Sequence, residues 1–172
     1  SMGGKTAMEV ALQAPDRVNR LIVADMGPAR HEAHFSDVLS ALDGYDISRL
    51  QNRAEAEKGL AEIIPDRNIR LFVLKNLKRR PQGSWFWQAN IPALARHYGE
   101  LCAGIEGGGR TFSGRSLFLK GERSGYLEDS EIPAVRELFP RAEIKIIPAA
   151  GHWLHIDNQD AFVDEVLSFC ES

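Results

Sequence analysis

Cysteine is scarce: Cys102 and Cys170 are two in 172 residues. They stand far apart, so no disulfide scaffold is expected and a reducing, cytoplasmic setting fits best. Long hydrophobic runs are also missing. No stretch approaches the roughly 20 apolar residues that cross a bilayer, and the start does not read as a signal peptide. Nor is there an excess of positive charge: 21 Lys and Arg face 24 Asp and Glu, for a net charge of -3. That balance excludes the broad basic surface of a nucleic-acid binder. No internal repeat or low-complexity segment appears. What remains is an ordinary globular composition, 44% apolar and 26% charged. The length suits one domain with a real core and is short for two.

Strand and helix patterns divide the chain into three segments. In residues 1–29, Gly3 to Ala14 is helical in composition, with Ala7, Met8, Ala11 and Leu12 on one face and Pro15 ending it. Val18 to Ala24 then carries a short apolar run that suits a buried parallel strand, closed by Asp25 and broken at Met26-Gly27-Pro28. Residues 30–110 change character. Helices are predicted over Ala33 to Leu42, Ala54 to Ile64, Asp66 to Leu77 and Ile91 to Ile105, with strand-like text only around Ser84 to Trp87. This block reads as an inserted helical cap. Gly107-Gly108-Gly109 is a flexible exit from it, since no strand precedes the glycines as a phosphate cradle requires. In residues 111–172 the alternation resumes: strand Ser116 to Lys120, helix Ile132 to Leu138, strand Ala142 to Ile147, helix Asp160 to Phe169. Such βαβα text implies a mostly parallel sheet with right-handed crossovers. Three strands leave an open edge, so the chain is expected to be the C-terminal part of a larger fold, partnered by its N-terminal part.

The chemistry gathers at the ends of these strands. Ser1-Met2-Gly3-Gly4-Lys5 matches the second half of a G-x-S-x-G nucleophile elbow, in which small residues let a strand turn sharply into a helix. Ala150-Gly151-His152 follows the last strand, where a histidine can serve as the general base for such a serine. The order of pieces resembles the α/β-hydrolase superfamily from its nucleophile onward, over essentially the whole chain. Ser1-Met2-Gly3-Gly4-Lys5-Thr6-Ala7-Met8 and Asp25-Met26-Gly27-Pro28 are most similar to the ybfF-type esterases and their eukaryotic α/β-hydrolase-domain relatives.

That resemblance implies a serine hydrolase without metal or organic cofactor, cleaving small esters or thioesters through Ser1. It carries the Met2 N–H over as one oxyanion donor; the second belongs to a loop after the third strand, which this sequence does not contain. One departure is informative. The superfamily's usual acid position lies in the turn Gly121-Glu122-Arg123-Ser124, where this sequence has a serine. A hydroxyl can orient an imidazole but cannot balance an imidazolium as a carboxylate does. Asp25, at the end of the neighbouring strand, is the expected acid with Ser124 supporting it, and the ybfF-type resemblance implies this same relocation. Asp129 and Glu122 are its rivals, as His155 is for His152.

Plainer readings stand beside these. Ser1 could cap its helix, Asp25 could end its strand, and His31, His34 and His97 lie in cap text without metal-site spacing. Met26, Trp85, Trp87, Tyr98, Tyr126 and Trp153 are candidate pocket residues, and Phe86 stands among them. Aromatic clusters, however, more often fill a core. Lys75, Lys78, Arg79 and Arg80 form either a solvated helix end or a seat for the phosphates of a coenzyme A thioester. Two further readings are a non-catalytic ligand-binding member of the fold and a P-loop protein. The second rests on Gly4-Lys5-Thr6 as the tail of its phosphate loop.

Overall fold

A computed structural model describes residues 1–171. Its first helix, α1 (Met2–Gln13), buries Met8, Ala11 and Leu12 on the face expected from their spacing. Pro15 closes it, opening a single 3-10 turn over Pro15–Arg17. Strand β1 (Arg20–Ala24) follows. It pairs in parallel with β4 (Arg115–Gly121), which pairs in parallel with β5 (Ala142–Ile147), so the sheet runs β1-β4-β5. The other side of β1 carries no strand among the described residues. Between β4 and β5 lies α6 (Ile132–Leu138), and α7 (Leu154–Asp157) and α8 (Gln159–Glu171) follow β5. Both sheet faces are covered, as a parallel sheet requires. Met8, Leu12, Val23, Phe118 and Phe139 belong to one core cluster, and Leu117, Leu119, Ile147 and Phe169 to another. The alternation of neighbours along β4 between the two clusters is the period-two pattern of a strand.

The chain forms two compact units, one from Ser1–His31 with the segment from Leu101 onward, the other Glu32–Glu100. The second unit contains α2 (Ser36–Asp43), α3 (Arg53–Gly59), α4 (Arg67–Leu74) and nearly all of α5 (Ile91–Leu101). Asn52 and Asp66 cap α3 and α4 by accepting backbone N–H groups through their side chains, which satisfies donors the helices cannot. Leu42, Leu60, Leu74, Leu77 and Ile91 form this unit's own core.

Three expected elements differ. The helix predicted to run to Leu77 stops at Leu74, and Leu77–Arg79 is instead strand β2, paired antiparallel with β3 (Trp85–Trp87). Lys75 and Asn76 turn the chain out of the helix by bonding three residues back, to Phe72 and Val73. Gly83, at φ +98°, supplies the left-handed residue of the hairpin loop. Helix α3 ends at Gly59, where a Cβ would strike the Tyr45 hydroxyl, rather than continuing to Ile64. Helix α5 ends at Leu101 rather than Ile105 because the Ile105 N–H is engaged by the Pro28 carbonyl, 2.8 Å away.

Candidate active site

Ser1 precedes α1, and its carbonyl accepts the Lys5 N–H as the helix begins, while its side chain makes no capping bond. Of the two glycines after it, only Gly4 is confined: a Cβ there would come within 3.1 Å of Val23 and 3.2 Å of Met26. Gly3 faces open space in this chain.

Asp25 stands at the end of β1 with φ +49°, a left-handed conformation that aspartate tolerates better than most residues. Its N–H continues the ladder to the Leu119 carbonyl at 2.7 Å, while its side chain is fully buried and turns toward the end of β4. There Oδ1 accepts the Gly121 N–H at 2.8 Å. Oδ2 accepts the Ser124 hydroxyl and the His152 ring, whose Nδ1 lies 2.7 Å away. Burial pushes the Asp25 carboxyl up, but the hydrogen bonds from His152, Ser124 and Gly121 outweigh it and hold the group below its ordinary value. An ionised carboxylate only accepts, so the His152 Nδ1 carries the proton, and in the neutral imidazole the lone pair is on Nε2.

The rival acids are occupied elsewhere. Asp129 pairs with Lys120 at 2.5 Å, and Glu122 accepts the Ala149 N–H at 2.7 Å. Glu122 thereby braces the loop that carries His152, together with Arg123, whose side chain reaches the Ala149 carbonyl and whose N–H bonds Ala150. Asp157 holds the Gly151 N–H at 2.8 Å. Gly121 must be glycine for the β4 and β5 turns to approach, since a Cβ would meet the Gly151 carbonyl at 2.4 Å. His155 faces the Phe162 ring instead.

Tyr126 lies with its ring stacked on His152, centroids 3.9 Å apart and 26° between planes. Its N–H donates to the Ser124 oxygen and its carbonyl accepts the Gly27 N–H. Trp153, the next candidate, precedes α7 and accepts the Ile156 and Asp157 N–H groups through its carbonyl. Met26 is 3% exposed and belongs to the core cluster. In the second unit, Trp85 and Trp87 pack against that unit's core, Trp85 donating its indole N–H to the Leu50 carbonyl at 2.9 Å. Phe86 and Tyr98 are half-buried there. His34 and His97 lie beside Glu32 and Glu100, and no group of three or more metal-ligating side chains occurs among the described residues. No helix among them is long and apolar enough to cross a membrane.

The P-loop reading requires a lysine free to grip phosphate. Lys5 instead sends its buried ammonium to the Ala29, Cys102 and Ala103 carbonyls, tying α1 to the segments after β1 and α5. All three of its donors are engaged.

The Asp25 network has a consequence for stability. A carboxyl held low in the folded state stabilises the fold above its ordinary value of 3.8, and that contribution is lost as pH falls through the folded value. Urea denaturation from pH 7 to pH 2 should therefore show an acid-side loss of stability that is reduced in Asp25→Asn.

Comparison with known proteins gives the family. The model of the alpha/beta hydrolase family matches residues 1–165. A relative in Mus musculus named "sn-1-specific diacylglycerol lipase ABHD11" is 38% identical over 98% of this chain and 56% of its own length. "Esterase YbfF" of Escherichia coli is 26% identical over 94% of this chain and 61% of its own. The chain thus spans little more than half the length of these curated relatives. The solved structure of a marine microorganism esterase is 37% identical and covers 98% of this chain and 67% of that one, at a TM-score of 0.91. The P-loop reading falls with these matches, and the chain belongs to the alpha/beta hydrolase family.

Proposed function

We propose that the protein is a serine ester hydrolase in which Ser1 is the nucleophile, His152 the general base and Asp25 the acid, with Ser124 supporting. The observation that carries this reading is the hydrogen bond between His152 Nδ1 and the ionised Asp25, which leaves Nε2 ready to accept a proton. The names of the relatives, a lipase and two esterases, support the same class. In the proposed reaction Ser1 Oγ attacks an acyl carbonyl and passes its proton to His152 Nε2. The oxyanion forms at the head of α1, where the Met2 N–H and the helix dipole favour negative charge. Collapse breaks the ester bond, and His152 returns the proton to the leaving alcohol. Water then attacks the acyl-serine with His152 again as base, releasing the acid and restoring Ser1. Hydrolysis of nitrophenyl esters by the full-length protein, lost on Ser1→Ala, tests the reading. No turnover with a folded protein would favour a non-catalytic ligand-binding member of the fold.

Apolar acyl groups are the proposed substrates, because pockets of this kind are mostly apolar with few polar anchors. A thioester of coenzyme A is a finer proposal, supported by charge. No acidic residue occurs between Asp66 and Glu100, while Lys75, Lys78, Arg79 and Arg80 are all exposed. Arg79 and Arg80 lie over the Trp85 and Phe86 rings, 5.6 and 4.6 Å from their centroids. Reversing Lys78 and Arg80 to glutamate should raise KM for an acyl-coenzyme A about tenfold. KM for a neutral nitrophenyl ester should stay unchanged, since that ester presents no phosphate. Equal effects on both would assign the basic strip to the fold of its own unit.

A further inference from the structure

Nothing in the hydrolytic scheme requires an aromatic ring against the base, yet one is built there with care. The Tyr126 ring lies on the His152 imidazole at 3.9 Å, near parallel, while its backbone is fixed at both ends. The Tyr126 N–H donates to Ser124, whose hydroxyl binds Asp25, and the Tyr126 carbonyl accepts the N–H of Gly27, two residues after Asp25. The stack and the acid–base pair are therefore set by the same turn. His31 packs on the Tyr126 ring from elsewhere at 5.8 Å, and its Nε2 is buried without a hydrogen-bond partner.

We propose that Tyr126 is a positioning residue for His152: its ring holds the imidazole in the plane set by Asp25 and stabilises the imidazolium that forms when Ser1 loses its proton. A cation over an aromatic face is attracted by the ring quadrupole, and the attraction grows as water is excluded. The neutral imidazole gains less, so the stack favours the charged form that the reaction creates. Asp25 supplies the carboxylate bonded to the ring while Ser124 stays neutral, so the stack adds a second source of cation stabilisation. The inference deepens the proposed function and rests on His152 being the base.

Asp25 faces His152 from the end of β1, Ser124 shares that carboxylate, and Tyr126 covers the ring with His31 beyond it. Glu122, Arg123 and Asp157 bind the backbone of the His152 loop, and Lys5 is engaged by carbonyls. Glu131 packs at Gly27. Removing the Tyr126 ring changes none of these charges.

The test compares Tyr126→Leu with Tyr126→Phe in the full-length protein. The His152 ring titration is followed by NMR in a Ser1→Ala background, which needs no turnover. The leucine variant should lower the His152 pKa by about half a unit to one unit, and phenylalanine should keep it, because the ring and not the hydroxyl does the work. With Ser1 intact, the acid limb of kcat/KM should move to lower pH by the same amount in the leucine variant. Its plateau kcat should fall roughly three- to tenfold at unchanged KM, because cation stabilisation is lost in the transition state. An unmoved His152 pKa, or phenylalanine as damaging as leucine, would overturn the proposal. A rise in KM alone would make Tyr126 a substrate contact. An inactive wild type with a shifted pKa would sink the hydrolase reading and leave the stack standing.

Discussion

Asp25→Asn should lower kcat by about 10⁴-fold while leaving the fold intact. The carboxylate is the centre of the network: it takes the Gly121 N–H, the Ser124 hydroxyl and the His152 Nδ1–H on two oxygens. An asparagine of the same shape offers one acceptor and one donor. If its oxygen stays toward Gly121, its NH₂ points at His152 and Ser124, and the ring must move its proton to Nε2 to accept that donor. The lone pair that the serine needs is then gone. Ser124→Ala is the comparison. It removes one hydrogen bond to Asp25 and leaves the Tyr126 N–H without its acceptor, at a cost of about 0.5–1.5 kcal/mol, or two- to tenfold in rate. Steady-state kinetics on one nitrophenyl ester decides between them. A larger loss in Ser124→Ala than in Asp25→Asn would move the acid away from Asp25.

Ser1→Ala should be more severe still, about 10⁶-fold in kcat, because the proposed covalent route disappears. Substrate binding should survive, since the hydroxyl contributes to the reacting geometry rather than to the pocket. KM is therefore expected to change less than threefold. A residual rate well above that level would mean that another nucleophile, or water activated directly by His152, carries the reaction. The stability of this variant should match the parent, because the Ser1 side chain makes no capping bond.

How far these expectations could be read from the residues depends on how local their cause is. The three core strands are written as apolar runs bounded by charge, and their parallel pairing follows from the helices between them. The β2–β3 hairpin was half visible. The aromatic strand Trp85–Trp87 stood out, whereas Leu77–Arg79 is three residues of mixed character directly after a helix and exists only by pairing with it. Helix α7 is one turn long, below the length at which periodicity shows. At the site, a neutral serine in the turn after β4 implies an acid at another strand end, because an imidazolium needs a carboxylate within reach. The stacking of Tyr126, the bracing by Glu122 and Arg123, and the use of Lys5 as a clamp are properties of tertiary contact. No spacing along the chain encodes the 3.9 Å between the Tyr126 and His152 rings. Lys5 in particular carries a phosphate-loop signature in sequence and the opposite use in space.

In the proposed reaction Ser1 becomes covalently acylated, with His152 as base and Asp25 as its acid. Treating the full-length protein with a fluorophosphonate and mapping the adduct by peptide mass spectrometry tests it most directly. A single phosphonyl adduct on Ser1 is expected, formed at a rate that falls by orders of magnitude in Asp25→Asn and absent in Ser1→Ala. A labelled residue other than Ser1, or continued ester turnover with Ser1 unmodified by an excess of reagent, would contradict it.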